Sequence, residues 1–471
     1  MQAAILLCRD LQRGDASAVD LMKQTYRRID EVNPEVNALV SLIPEADAIL
    51  LAEAADAVPI AERGPLHGLP MAPKDMVEVA GFATTWGFVP WANNIAQTDD
   101  ALAARMRAAG AIFLGHSNMP EFGLGSNTFN SLYGRTKNPY DLSRTPGGSS
   151  GGAAVALATG ILPLADGSDM GGSLRNPASF CNVVGFRPSM GRMPNNKGFG
   201  WFARLGITGP MGRTVADTAL LFSVQAGSDP LDPISLPEKG ETFLDAIVPM
   251  DDLSGLKIGY APTLHDLPID KEVMTVMQHA ADQCADLGAE ISTVGPNLSQ
   301  AMDVFQTQRA AGLATLGNAL DRSMPDWKDH AKDTAIWNVE KGQNLTAAEI
   351  LESELLRNQI YAETVRYFSE FDALILPAAQ VPPFPSDIEW VDEINGIKLD
   401  SYIDWMTICC AITVTGCPAI SVPGGFTTDG LPVGLQIVGG PRQDLKVLKM
   451  AHTFEQATQH YKVAPKISCS G

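Results

Sequence analysis

Cysteine is scarce in this chain and does not pair. The seven residues, at positions 8, 181, 284, 409, 410, 417 and 469, are odd in number and lack metal-ligand spacing. That argues against a disulfide framework and for a reduced, cytoplasmic setting. Positive charge is scarce as well: 34 Lys and Arg against 54 Asp and Glu give a formal charge of −20. No basic run opposes it, so nucleic acid is excluded as a partner. No apolar stretch reaches the ~18 residues that suggest a membrane span. The opening "MQAAILLCRDLQRGDASAVDLM" has an acid-containing flank and no small-residue cleavage site, so it reads as a helix rather than a signal peptide. The acidic balance also argues against an interfacial helix on anionic lipid. Histidine chemistry is equally thin. His67, His116, His265, His279, His330, His452 and His460 form no HExxH-type cluster, and no Gly-x-Ser-x-Gly elbow precedes a suitable histidine. No metal or organic cofactor is expected.

What remains is an ordinary globular composition over 471 residues, 45% hydrophobic and 19% charged, with 43 Gly and 32 Pro dispersed as turn markers and no internal repeat. Ser17 caps a helix that carries Ala18, Leu21, Met22, Ile29 and Val32 on one face and ends at Asn33-Pro34. In "TDDALAARMRAAGAIFLG", Thr98 or Asp99 caps a helix, Gly110 stops it, and a strand follows at 111–114. The rhythm recurs as a helix from about Gly152, a stop at Gly160 and a strand over 161–165. Further strands are expected at 256–260, 373–376, 419–422 and 433–438, and amphipathic helices near 271–287, 345–370 and 443–459. This pattern predicts an α/β fold. The Pro/Asp-rich stretch 227–241 could be a linker, but apolar patterning on both sides favours one large domain over 1–471.

Three clusters carry candidate chemistry: "HGLPMAPKDM" at 67–76, "TPGGSSGGAAVALA" at 145–158 and "GSDMGGSLRNPASFCNVVGFRP" at 167–188. By residue type Lys74 is a solvated surface charge, yet its apolar, Pro-punctuated approach is compatible with a strand end entering a core. "GGSSGG" has the glycines of a phosphate cradle but lacks the Lys and Ser/Thr that complete one, and as a linker it would not open directly into an Ala-rich helix. Ser173 reads either as a nucleophile or as part of a Gly/Ser turn. Cys181, in "ASFCNVVGF", reads as a buried inert thiol rather than a rival nucleophile.

Taken in order, these clusters, with "GPMGRTVAD" at 209–217 and "CPAISVPGGFTTDGLPVGLQIVG" at 417–439, resemble the amidase signature family over nearly the whole chain. The resemblance implies a large mixed central β-sheet covered by helices on both faces. It also implies a helical N-terminal arm (about 1–60), a catalytic core (about 64–225), a variable substrate-facing helical region (about 230–370) and a C-terminal sheet and helix (about 371–465). By position Lys74 matches the family's general base, Ser149 its bridging serine in a cis peptide after Gly148, and Ser173 its acyl-forming nucleophile. The N–H groups of Met170, Gly171, Gly172 and Ser173 match the oxyanion hole, and the carbonyl near Gly123 matches a substrate contact. Ser150, Asp169 and Arg175 are expected to hold the loops by hydrogen bonds, a local turn role being open for Asp169; Ser168 is read as structural. The chemistry is coherent: a serine needs a base, lysine serves only when neutral, and a hydroxyl can both accept and donate the relayed proton. Relative to the family, the start at Met1 is a few residues short.

For the substrate, one branch of the family is the glutaminase subunit of a tRNA-dependent amidotransferase, with an acidic residue ahead of the C-terminal strand and an Arg-bearing "DGVRYG"-like segment. Neither is evident here. The corresponding "YIDWMTICCAITVTGCPA" offers Trp405, Met406, Ile408 and Cys410, with Asp404 too far upstream, so an apolar pocket is expected, core packing being the other reading of Trp405 and Met406. The expectation is a stand-alone amidase acting with water on small hydrophobic or aryl amides, and on carbamates and esters. It would need no membrane and is compatible with a homodimer. The alternatives are a catalytically idle binding protein and the glutaminase of an amidotransferase.

Overall fold

The computed structural model describes residues 2–195, 204–264 and 266–468; Met1, His265 and Cys469 lie outside the described residues. Helices α1 (Ala4–Arg13), α2 (Ala18–Val36) and α3 (Glu45–Asp56) form the N-terminal arm. Ser17 caps α2 through Asp20 N–H, and the Asp56 carboxylate at the end of α3 accepts Ala18 and Val19 N–H, clasping the two helices. Helix α2 does not stop at Asn33-Pro34. Proline removes one donor from its last turn without ending it, and the Asn33 side chain accepts Ala38 and Leu39 N–H just beyond the helix. The helix closes instead at Asn37, whose left-handed backbone (φ 50°) returns an N–H to Asn33 O.

Helix α4 (Ala101–Ala108) is capped by Asp100 rather than Thr98 or Asp99, because Asp99 is taken by Arg107 at 2.6 Å and by Ala80 N–H. Helix α5 (Gly151–Ala158) is buried at every position, and a Cβ on Gly152 would lie 2.3 Å from Asn118 N, so glycine alone lets the backbones meet. Strand β1 (Leu164–Asp169) begins later than expected, because Gly160 and Leu162 N–H first turn back to satisfy the carbonyls of α5.

With β1, seven strands build the central sheet: β2 (Val184–Arg187), β3 (Ile207–Gly212), β4 (Lys257–Tyr260), β5 (Glu290–Ser292), β6 (Ala373–Pro377), β7 (Ala419–Phe426) and β8 (Pro432–Val438). The order is β5-β4-β6-β8-β7-β2-β3-β1, parallel within β5-β4-β6 and antiparallel elsewhere, which makes the sheet mixed. Successive residues of β6 and β8 are all buried. Since side chains alternate between faces, both faces are covered. Helices α6 (Arg175–Phe180), α7 (Val215–Gln225) and α8 (Lys271–Asp286) pack on it, α6 against β2, β7 and β8 and α8 against β6 and β7.

Helices α9 (Ala301–Ser323), α10 (Asp333–Gln343) and α11 (Ala347–Tyr367) form a layer of their own, against which α12 (Thr407–Thr415) packs through α9 and α11 before the chain enters β7; α13 (Asp444–Thr458) packs on β7 and β8. Helix α12 left no periodic signal because all nine of its residues are buried. One apolar cluster runs from Ala4 to Phe454, and a smaller one gathers Phe88, Phe122, Leu313 and Trp327. Among the described residues no helix is long and apolar enough to cross a membrane.

Candidate active site

The chain around Lys74 is drawn inward by pairing on both sides. Pro70–Met71 runs parallel to Ile112–Phe113, and Lys74 itself bridges to Ser117. The next residue, Asp75, accepts Thr85 and Gly87 N–H and pins the following loop. Lys74 is therefore fully buried, against the surface position that its residue type suggests. Its Nζ reaches three hydroxyls: Ser149 Oγ at 2.7 Å, Ser168 Oγ at 2.9 Å and Ser150 Oγ at 3.1 Å. Burial pushes the amine down from 10.5 to about 7, with Asp166 and Asp169 opposing. Near neutral pH much of it is then uncharged and able to accept a proton.

Ser149 follows Gly148 across a cis peptide bond. Ser150, at the start of α5, exchanges hydrogen bonds with Lys74 and with the backbone of Ser168, tying the "GGSSGG" loop to β1. Ser168, read from sequence as structural, also touches the amine.

Strand β1 ends in Asp169, the anchor of the next turn. Its carboxylate accepts Arg175 Nε at 2.9 Å and Nη2 at 2.8 Å, Arg187 Nη1 at 3.2 Å, and the N–H groups of Gly172 and Leu174. Burial alone would raise its pKa, but Arg175 and Arg187 outweigh burial and hold it well below the usual carboxylate range. Arg175 reaches on to Gln436 on β8 and Thr413 on α12. The turn is thus bolted to the sheet through charge, and the local-turn reading of Asp169 is too small. Arg187, which also bonds the Asp169 carbonyl, was not anticipated; it lies on β2, and only the fold brings it there.

One cavity of about 400 Å³ is lined by Ser149, Ser168, Ser173, Met170, Gly171 and Gly123. Ser173 is 7% exposed, and its hydroxyl has no hydrogen-bond partner among the described residues, so Lys74 and Ser149 are linked while Ser149 and Ser173 share the cavity without a direct bond. Such bonds are often long in unliganded sites. The expectation for Gly172 is corrected: its N–H is donated to Asp169 at 3.1 Å and is not open to the cavity. Its φ of +104° turns the chain that way. Among the described residues the N–H groups of Met170, Gly171 and Ser173 meet no acceptor. Gly123 (φ +72°) sits beside Ser149, whose Oγ would be 3.5 Å from a Cβ placed there.

The far wall is largely apolar: Trp86, Phe122, Phe305, Leu313, Leu316 and Met406. Trp405 does not reach it; fully buried, it stacks on Phe180 and meets Phe384 edge-on, as core. Ile408 is likewise core. Met406 lines the cavity, and both its Sδ and Cys410 Sγ pack close to Gly171. Asp404 accepts Ser401 N–H and hydroxyl and turns away. Cys181 is buried outside the cavity, its thiol pushed up by burial. None of the described histidines lines the cavity, and no group of three His, Cys, Asp or Glu gathers to hold a metal among the described residues.

This chain matches the sequence model of the Amidase family over residues 20–448. It is 34% identical over 458 residues to an acylamidase of Rhodococcus erythropolis, covering 96% of this chain and 94% of that one. It is also 34% identical over 479 residues to a glutamyl-tRNA(Gln) amidotransferase subunit of Geobacillus thermodenitrificans, covering 97% of each. It superposes with a TM-score of 0.90 and 28% identity on the crystal structure of a bacterial aryl acylamidase of the amidase signature family, covering 100% of this chain and 99% of that one.

Proposed function

Since this chain belongs to the amidase signature family and is an amide C–N hydrolase, we propose that it cleaves hydrophobic or aryl amides through an acyl-enzyme on Ser173, with carbamates and esters as further substrates. Ser173 Oγ attacks the carbonyl carbon while its proton passes through Ser149 to neutral Lys74. The N–H groups of Met170, Gly171 and Ser173 meet the developing oxyanion, each such donor contributing ~3 kcal/mol. Lys74 then returns the proton through Ser149 to the leaving nitrogen, the C–N bond breaks, and the amine departs. Water attacks the ester, gives its proton to the same relay, and releases the acid and Ser173.

The observation that carries this reading is Lys74 Nζ, fully buried and 2.7 Å from Ser149 Oγ, the hydroxyl that lines the cavity together with Ser173. The apolar far wall and the acylamidase relatives support the substrate class. Equal identity to the amidotransferase relative keeps a second reading, a glutaminase that needs a partner chain. Asp404 turned toward Ser401 speaks against a glutamine clamp. The test is mass spectrometry of the purified chain with an acyl-anilide. The wild type gains the acyl mass on Ser173, whereas Ser173→Ala and Lys74→Ala fold but gain none. Full activity in Ser173→Ala overturns the assignment, and glutamine as the sole good substrate moves it to the second reading.

A further inference from the structure

Helix α9 sends a charge into the apolar wall. Phe305, Arg309, Leu313 and Leu316 recur at helical spacing and all line the cavity. Arg309 is only 5% exposed. Its Nη1 bonds Asn338 Oδ1 and its Nη2 bonds the Tyr402 hydroxyl, both neutral acceptors. Asn338 is held by its own bonds to Thr334 O and Tyr402, so the guanidinium is presented by a fixed frame.

What Arg309 lacks is a counter-charge. No carboxylate lies within ion-pair distance of it among the described residues, whereas the cavity's other arginines, Arg187 and Arg204, pair with Asp169 and Asp232. Two lysines feel its charge. Lys332 and Lys341 are both held below the ordinary lysine value, chiefly by burial and in part by Arg309. Glu121 and Glu389 act on Lys332, and Asp404 acts on Lys341. The Tyr402 ring, 5.4 Å from the guanidinium carbon, gives cation–π attraction but no counter-charge, and a buried cation without an anionic partner is a large penalty that a fold keeps only where something offsets it. Two of the five N–H donors of a guanidinium are used here, and the rest match a carboxylate in fork geometry.

We infer that Arg309 is a specificity residue that binds an anionic group, a carboxylate, on the amide substrate. This rests on the reading of Ser173 as nucleophile and narrows its substrate class to amides that pair an apolar body with a carboxylate. The reach follows from α9. Phe305 approaches Gly171, with its ring 3.5 Å from a Cβ placed there, and Arg309 lies one turn further, ~6 Å along the axis. A carboxylate three methylenes from the scissile carbonyl spans about that distance.

The test uses two matched pairs. On the acyl side are glutaryl-4-nitroanilide and its neutral isostere 5-methylhexanoyl-4-nitroanilide. On the amine side are the hexanoyl amides of 4-aminobenzoate and of 4-isopropylaniline. Binding to Ser173→Ala protein is measured apart from turnover by the wild type. The expected result is at least tenfold tighter binding of the carboxylate member in one pair, erased in Ser173→Ala/Arg309→Gln and partly kept in Ser173→Ala/Arg309→Lys, with kcat/KM of the wild type following the same order. No carboxylate preference in either pair, or equal loss on both members in the Gln variant, overturns the inference. Preferential binding without turnover leaves the carboxylate site standing and refutes the acyl-enzyme reading instead; turnover without preference does the reverse.

Discussion

Replacing Asp166 with Asn tests how Lys74 is tuned. Asp166 is fully buried on β1, accepts Lys74 N–H on Oδ2 at 3.3 Å, and leaves Oδ1 without a partner among the described residues. Burial pushes Asp166 up to about 7, and of the two carboxylates that oppose the downward shift of Lys74 it acts more strongly than Asp169. With Lys74 titrating at about 7, the neutral amine rises from about 9% at pH 6 to about 91% at pH 8, so kcat/KM climbs roughly tenfold over that interval. Asn cannot carry the anion that favours protonated Lys74, so in Asp166→Asn the acidic limb moves to lower pH. The assay is kcat/KM for an acyl-anilide between pH 5 and 9 in both proteins. A limb that stays in place or moves upward refutes the electrostatic reasoning.

Stability provides a check that needs no turnover. Between about 7 and 10.5 the unfolded chain holds a proton on Lys74 that the folded chain does not. A lysine depressed by folding therefore makes stability rise with pH, by ~1.4 kcal/mol per pH unit across that window. Comparing Asp166→Asn with Asp166→Asn/Lys74→Met by denaturant unfolding isolates the slope. Parallel pH dependences contradict the burial argument.

Two other outcomes follow from the turn after β1. Asp169→Asn leaves Arg175 and Arg187 buried without their anion, a loss of ~3–5 kcal/mol, read as a lower denaturation midpoint together with lost acylation; an unchanged midpoint would mean the network is not stabilising. Gly172→Ala puts a Cβ 2.7 Å from Cys409 Cβ at a φ of +104°, for which ~1–3 kcal/mol of destabilisation is expected with a larger fall in kcat than in KM, and unimpaired kcat would show that the turn's shape is dispensable.

Much of the candidate site is legible from residue types and spacing. A lysine after a Pro-punctuated apolar stretch, a Gly/Ser loop opening an Ala-rich helix, and a Gly-Gly-Ser turn each state a local geometry, because glycine's freedom and the capping of helix ends act over a few residues. The same locality explains why α8, α11 and α13 were visible as amphipathic patterns while α12, buried on every side, was not. It also explains the slips at Pro34 and Asp99, where a neighbouring side chain decides between near-equal local options.

Partners far apart in the chain lie beyond such rules. Arg175 meets Gln436 across 261 positions, Arg187 closes on Asp169 from another strand, and Trp405 turns into the core while Met406 faces the cavity. By itself, then, the sequence determined the α/β rhythm and the glycine turns, and it singled out Lys74, Ser149 and Ser173 as candidates. Only the tertiary structure decided that Lys74 is buried against three hydroxyls, that Gly172's N–H belongs to Asp169, and that Arg309 enters the cavity with no carboxylate at ion-pair distance among the described residues. Desolvation and pairing depend on what the rest of the chain packs around a group, and no local pattern encodes that.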